Sequence, residues 1–105
     1  MHLTSYLENG KLTIALTGEI DHHLAKSYIE EISYKIEAYN PILCVLDFQD
    51  VSFIDSSGVA VVINALRRMT GAGGRLVISG LGSQPKRVME AAGVHKLITI
   101  MEEIK

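Results

Sequence analysis

The segment that most constrains the fold is an almost uninterrupted apolar run in the middle of the chain, residues 42–48. It reads Ile-Leu-Cys-Val-Leu-Asp-Phe and contains one charged residue, Asp47. Such a run is typical of a parallel strand that is covered on both faces. Helical patterns precede and follow it, so the sequence predicts an α/β domain with this segment as a central strand.

The first twenty residues predict an antiparallel hairpin. Segments Leu3–Leu7 and Lys11–Thr17 flank Asn9-Gly10, a pair that favours a tight turn because both residues tolerate positive φ. The second segment alternates apolar and polar residues, which is the period of a half-buried strand. We expect Gly18 to end it.

Amphipathic patterns predict three helices, and short apolar segments between them predict strands. The first helix follows Asp21, whose side chain is a good N-cap. Alternating strands and helices imply parallel pairing through right-handed crossovers. The predicted architecture is a mixed, mostly parallel sheet with the hairpin at one edge and helices packed on it, in one domain of residues 1–105. The elements are helices His22–Tyr39, Val59–Met69 and Gln84–Ala92, strands Ile42–Phe48, Val51–Ile54, Arg75–Ser79 and Leu97–Met101, a turn at Gln49-Asp50, and at most one frayed helical turn in 102–105.

Composition excludes several classes of protein. Hydrophobic residues make up 48% of the 105 residues, enough for one core. The 10 basic and 12 acidic residues leave a formal charge of −2, whereas a general nucleic-acid binder carries a basic surplus. No signal-peptide pattern is visible, and no apolar run approaches the roughly 18 residues of a membrane span. We therefore expect a cytoplasmic protein that binds neither a membrane nor nucleic acid directly.

No pattern of residues points to catalysis, a metal or a cofactor. His22 and His23 project about 100° apart on a helix and have no further ligand at suitable spacing. The glycine-rich segment 71–74 follows a helix and precedes a strand, the reverse of a phosphate-binding loop, and the G-x-S-x-G pattern of hydrolases is absent. The one cysteine, Cys44, lies in the apolar run, where a buried, unreactive thiol is expected. These features favour a binding protein over an enzyme.

The most informative stretch is Asp55-Ser56-Ser57-Gly58, before the second helix. Capping of backbone N–H groups by Asp55 or Ser56 explains one or two of these residues and contributes about 1 kcal/mol. Capping does not explain a second serine followed by glycine. A hydroxyl near the positive end of a helix dipole, with no side-chain bulk after it, meets the conditions for access by a protein kinase.

Two blocks of sequence resemble the STAS domain family, to which bacterial anti-sigma factor antagonists belong. Residues 47–60, with Phe-Ile-Asp-Ser-Ser-Gly-Val at their centre, resemble the family's signature. Residues 16–23, Leu-Thr-Gly-Glu-Ile-Asp-His-His, resemble its first loop and helix start, and segments 73–76 and 88–94 also fit. The resemblance covers essentially the whole chain and implies a small mixed sheet with helices packed on it.

The resemblance also implies partner switching. The unphosphorylated antagonist binds an anti-sigma factor that is also a serine kinase, and so frees a sigma factor. The kinase phosphorylates one serine, the complex separates, and a serine phosphatase resets the antagonist. The target aligns with Ser57, and Ser56 is the neighbour with which it could be confused. The partner-binding residues implied are Asp21, His22, His23, Asp55, Ser56, Ser57 and Gly58, with no cofactor.

Several alternatives stay open. Asp21 either contacts the kinase or only caps its helix, and Gly58 either lets the partner's backbone approach or satisfies a turn. Longer members of the family continue into another helix, which we expect to be missing or vestigial after residue 101. The chain could instead be a STAS subunit of another signalling or transport complex, or a small nucleotide-binding enzyme, for which the sequence offers no catalytic constellation.

Overall fold

A computed structural model of the chain describes residues 3–101, so the predicted frayed turn at 102–105 and the question of a further helix lie outside the described residues. One five-stranded sheet has the order β1-β2-β3-β4-β5, in which β1 and β2 are antiparallel and the other neighbours are parallel. This confirms the predicted mixed, mostly parallel sheet and the order of its elements. In this part of the chain no helix is both long and apolar enough to cross a membrane. The elements are β1 Leu3–Glu8, β2 Lys11–Ile20, α1 His22–Tyr39, β3 Leu43–Ile54, α2 Ser56–Gly71, β4 Arg75–Ser79, α3 Ser83–Ala91, a 3-10 turn Val94–Lys96 and β5 Thr99–Met101.

The antiparallel hairpin forms as predicted. Asn9 and Gly10 adopt positive φ angles of 53° and 80°, as a tight turn between two strands requires. β2 continues past Gly18 to Ile20, so the prediction that Gly18 ends the strand is wrong. The register between β2 and β3 shifts next to Gly18, and the two strands remain paired on both sides of the shift.

The third strand is longer than predicted. Residues 43–54 form one continuous strand, so the predicted turn at Gln49-Asp50 is wrong. Ala15 pairs with Asp47 but Thr17 pairs with Asp50, so β3 takes an additional residue at this register shift. The polar residues that suggest a turn therefore lie at an irregularity within the strand. Since β4 ends opposite Asp47, residues 48–54 have a strand neighbour only on the β2 side.

The main core lies on one face of the sheet. Leu12, Ile14 and Leu16 of β2 are fully buried there and belong to the same apolar cluster as the inner faces of α1 and α2. Right-handed crossovers between sequential parallel strands place the three helices on this one face. Val45 and Val77 alternate to the opposite face, where they are buried outside that cluster. The central position of β3 is thus confirmed, whereas in residues 3–101 helices cover it on one face, not both.

The helices lie where predicted, and the largest difference is at α2, which begins three residues earlier and ends two residues later, at Gly71. α1 has the predicted bounds, and α3 begins and ends one residue earlier than predicted. α2 begins at Ser56 and not at Val59, because Asp55 caps it. The last strand begins at Thr99 and not at Leu97, because the N–H groups of Leu97 and Ile98 both donate to the carbonyl of Val94 in the 3-10 turn that precedes it.

Cys44 is fully buried in β3, as predicted. Burial raises the pKa of its thiol from 9.0 to about 12. Because the thiolate is the reactive form, Cys44 is an unreactive, structural cysteine in the folded protein.

Candidate functional site

Strands β2 and β3 end side by side, and a helix follows each of them. Ile20 and Ile54 are register partners, and the N–H of Asp55 donates to the carbonyl of Ile20 at 3.3 Å. Asp21 and Asp55 come directly after these strands, and each is the N-cap of the next helix. The parallel register therefore brings the two sequence blocks that suggested a site together at one edge of the sheet.

Asp21 caps α1 with its carboxylate. Its Oδ1 accepts hydrogen bonds from the backbone N–H of His23 at 3.0 Å and of Leu24 at 3.2 Å. The N–H of Leu24 also donates to the main-chain carbonyl of Asp21 at 3.1 Å, and N–H groups in the first turn have no carbonyl of a preceding helical turn to bond, so the cap contributes about 1 kcal/mol of stability. The capping role of Asp21 is confirmed, and its contact with a kinase stays a prediction.

His22 and His23 follow the cap and are both exposed. Their ring centroids are 4.0 Å apart with the planes inclined by 37°, closer than adjacent helical positions suggest, because exposed rings can turn toward each other. In the described part of the chain no group of three or more His, Cys, Asp or Glu side chains could hold a metal ion. The two imidazoles instead present an aromatic surface with hydrogen-bonding nitrogens to solvent.

The first turn of α2 carries both serines. Oδ1 of Asp55 accepts a hydrogen bond from the N–H of Ser57 at 2.8 Å, and the Asp55 carbonyl accepts one from the N–H of Gly58 at 2.9 Å. Of the two predicted caps, the structure selects Asp55 over Ser56. Ser56 is exposed and Ser57 is half-buried. Both hydroxyls lie in the first helical turn, where the helix dipole favours an added negative charge.

Gly58 is buried, and it faces its own chain. A Cβ built on Gly58 would lie 2.7 Å from the Cβ of Ile54, a separation that real Cβ atoms essentially never show. The glycine sits inside α2, so a turn conformation does not explain it. The close approach that the structure shows is between the first turn of α2 and the end of β3. Contact of Gly58 with a partner's backbone stays a prediction.

Gln84, which sequence reasoning assigned no role beyond starting a helix, belongs to this site. Its side-chain Oε1 accepts a hydrogen bond from the N–H of Ile54 at 2.9 Å, and its Nε2 donates to the carbonyl of Ile54, also at 2.9 Å. A residue of α3 thus binds the main chain of β3 directly before Asp55. No local pattern around Gln84 signals this contact, because it depends on where β4 ends.

An open groove of about 550 Å³ lies between α2 and α3, next to the serines. Its walls are mostly apolar, together with the exposed guanidinium of Arg87. Apolar surface bordered by polar groups is the usual composition of a protein-docking surface. The lining residues are Ser56, Val59, Arg87, Val88, Ala91 and Ala92.

Sequence comparison relates the chain to a family of regulatory domains. The STAS domain family model matches residues 4–105. The anti-sigma F factor antagonist of Paenibacillus polymyxa is 25% identical over 93 residues, which are 89% of this chain and 80% of that protein. The anti-sigma-B factor antagonist of Listeria monocytogenes is 29% identical over 90 residues, which are 85% of this chain and 77% of that protein.

Solved structures share the fold. An anti-sigma factor antagonist from Mycobacterium paratuberculosis superposes with a TM-score of 0.87 at 20% identity, covering 97% of this chain and 86% of that one. The antagonist SpoIIAA in its unphosphorylated form gives a TM-score of 0.74 at 23% identity, covering 98% and 89%. The phosphorylated form of the Bacillus protein also gives 0.74, at 24% identity, covering 98% and 91%. A sulfate transporter family protein from Wolinella succinogenes gives 0.78 at 17% identity, covering 94% and 82%.

Proposed function

Because the chain belongs to the STAS domain family, we propose that it is an anti-sigma factor antagonist. Its unphosphorylated form binds an anti-sigma factor with serine kinase activity and so releases a sigma factor in the cytoplasm. Phosphorylation of Ser57 ends this binding, and a serine phosphatase restores it. The antagonists among its relatives support this function, which is that of a binding protein and not of an enzyme.

The observation that carries the proposal is the meeting of the two capped helix starts. The Asp55–Ile20 hydrogen bond sets the start of α2 beside that of α1. A partner that docks at this edge can therefore contact the exposed histidines and the serine turn at the same time. The adjoining groove between α2 and α3 adds apolar surface to the same docking site.

The charge of a phosphoryl group explains how one modification can end binding. Phosphorylation of Ser57 adds about −1.5 to −2 charges. A negative group near a helix N-terminus is favoured by roughly 0.3–1 kcal/mol, so α2 stays folded. Repulsion from the neighbouring Asp55 is weakened by solvent at this partly open site. The fold therefore accommodates the phosphoryl group, and its effect is exerted on the partner.

Across the interface the same charge is strongly unfavourable. A partner surface shaped for a neutral hydroxyl would have to bury a dianion without a compensating cation, at a cost of several kcal/mol. Each 1.4 kcal/mol corresponds to about a factor of ten in affinity. We therefore expect phosphorylation to weaken binding by roughly a hundredfold or more without rearrangement of the antagonist.

The choice of Ser57 over Ser56 rests on the family resemblance. Exposure alone favours Ser56, because this residue is exposed and Ser57 is half-buried. The deciding experiment is incubation with ATP and the anti-sigma factor kinase of the organism that encodes this chain, followed by mass mapping. We expect Ser57→Ala to abolish phosphoryl incorporation and the matched Ser56→Ala to retain it. The opposite pattern would assign the switch to Ser56.

A second function, as the STAS module of another signalling or transport complex, is favoured by the likeness to the sulfate transporter family protein. Such a module would use the same helix edge for a different partner. Pull-down of the anti-sigma factor kinase by the unphosphorylated chain separates the two. Binding supports the antagonist, and absence of binding supports the module.

A further inference from the structure

We propose that Gln84 is the positioning residue for the phosphoacceptor turn, holding Ser57 for the kinase by clamping the main chain of Ile54. This inference rests on the proposed function, because it concerns the same switch. Gln84 does not touch the reacting hydroxyl, and its effect is exerted through Ile54 and Asp55.

The need for a clamp follows from the unequal lengths of β3 and β4. β4 ends opposite Asp47, so the main chain of Ile54 has no strand neighbour on the β4 side. The N–H of the next residue, Asp55, points the other way and bonds to β2. Without Gln84 the N–H and the carbonyl of Ile54 would both lack a partner in the sheet. Its carboxamide donates once and accepts once, which is the hydrogen bonding of one residue of a neighbouring strand.

Ile54 is also the residue on which the first turn of α2 rests. Its Cβ lies where only a glycine at position 58 can pack against it. The main chain of Ile54 is therefore held from the α3 side by Gln84, and its side chain is fully buried beneath Gly58. A shift of Ile54 would move Asp55, whose carboxylate bonds to the N–H of Ser57. The position of Ser57 thus depends on Gln84 through contacts that are all short.

The same clamp ties together the two walls of the groove beside the serines. Gln84 lies in the first turn of α3, and Arg87 and Val88 of the next turn line the groove. Ser56 lines the opposite wall, two residues after the clamped Ile54. A partner that docks in the groove therefore meets a wall and a phosphoacceptor whose relative position Gln84 sets.

The test compares Gln84→Met with wild type. Methionine has a similar length and removes both hydrogen bonds. The matched control is Gln49→Met, which removes an exposed carboxamide from β3. The one hydrogen bond described for Gln49 uses its main-chain N–H, which donates to Oδ1 of Asp47 and is kept in the variant. If Gln84→Met does not fold, Gln84→Asn keeps the carboxamide but is one methylene too short to reach Ile54.

Steady-state phosphorylation is measured with ATP and the anti-sigma factor kinase of the same organism. We expect the kcat of Gln84→Met to fall about tenfold with KM near that of wild type, because the docking residues on α1 and the side chains that line the groove are all kept. We expect amide exchange at Ile54 to accelerate about tenfold. Partial unfolding of a protein substrate would instead raise KM and leave kcat unchanged. The control should match wild type in both constants.

Two results would overturn the inference in distinguishable ways. If wild type is phosphorylated on Ser57 and Gln84→Met reacts with the same kcat, Gln84 has no positioning role and the proposed function stays intact. Wild type not phosphorylated at all would overturn the proposed function, and the role of Gln84 in it would fall at the same time.

Discussion

Asp21 and Asp55 each stand one residue beyond a pair of register partners, Ile20 and Ile54, so two acidic N-caps lie next to each other at the end of neighbouring strands. Each carboxylate interacts favourably with the positive end of a helix dipole. Phosphorylation of Ser57 would add a third anionic group to this edge. We therefore expect one modification to change the charge of this edge strongly while the fold is retained.

The capping role of Asp21 predicts different effects for two substitutions. Asp21→Ala should lower the free energy of unfolding by about 1 kcal/mol, because the N–H of His23 loses its acceptor and the N–H of Leu24 keeps only the main-chain carbonyl of Asp21. Asp21→Asn keeps a side-chain oxygen and should lose only a few tenths of a kcal/mol. Urea denaturation of the three proteins measures both values.

The same pair tests whether Asp21 also contacts the partner. If Asp21→Asn retains wild-type stability but binds the anti-sigma factor more weakly, the charge itself is recognised. Unchanged affinity would limit Asp21 to capping. Equal destabilisation by both substitutions would contradict the hydrogen-bonded cap.

The contact between Gly58 and Ile54 predicts that Gly58→Ala is destabilising although alanine is the better helix former. The added methyl group would meet the Ile54 Cβ at 2.7 Å, and overpacking of this kind costs about 1–3 kcal/mol. Gly71→Ala at the other end of α2 is the matched control, since nothing lies within 4 Å of its added Cβ. We expect that control to be neutral or stabilising by up to about 1 kcal/mol. Equal thermal midpoints for the two variants would show that the space above Ile54 is larger than described.

Burial of Cys44 predicts a loss of stability at alkaline pH. The thiol has a pKa of about 12 when folded and 9.0 as its ordinary value. Between these values the unfolded chain releases the proton while the folded chain keeps it, so the contribution is fully present below pH 9 and decreases as pH rises. The free energy of unfolding should fall by about 1.4 kcal/mol per pH unit in this window.

Cys44→Val is the control for the alkaline experiment. Between pH 9.5 and 11 its free energy of unfolding should fall less steeply than that of wild type. The two slopes should differ by about 1.4 kcal/mol per pH unit. Burial also raises the pKa of Tyr28, an effect that its hydrogen bond to the Thr17 carbonyl partly offsets. That contribution is common to both proteins and cancels in the comparison. Parallel curves for the two proteins would contradict the raised thiol pKa.

The sequence predicts this fold well wherever one local pattern determines an element. The Asn9-Gly10 turn, the α1 bounds after Asp21 and the order of elements are all confirmed, because each depends on neighbouring residues. Polar residues at Gln49-Asp50 mislead because register shifts are a property of two strands and not of one. A continuous strand there could not be separated from a turn by periodicity alone.

The candidate site was predictable in part. The Asp-Ser-Ser-Gly block marks it, and the parallel register that follows from the single crossover through α1 brings Asp21 beside it. Gln84 could not be found in this way, since its importance arises from the early end of β4. The packing role of Gly58 was likewise hidden, because it depends on the distance to Ile54 across two elements.

Charge, and not side-chain size, should decide partner binding at Ser57. Ser57→Asp adds a negative charge and Ser57→Asn adds almost the same volume without charge. Both variants should retain the wild-type free energy of unfolding within about 0.5 kcal/mol, because the first turn of α2 tolerates polar and acidic residues. We expect Ser57→Asp to bind the anti-sigma factor much more weakly than Ser57→Asn.

Calorimetric titration of the anti-sigma factor with the unmodified chain and with the chain phosphorylated on Ser57 measures the proposed switch itself. We expect a Kd at least about a hundredfold higher for the phosphorylated chain, with both forms equally folded. Equal affinities for the two forms, or a phosphorylated chain that loses binding because it has unfolded, would contradict it.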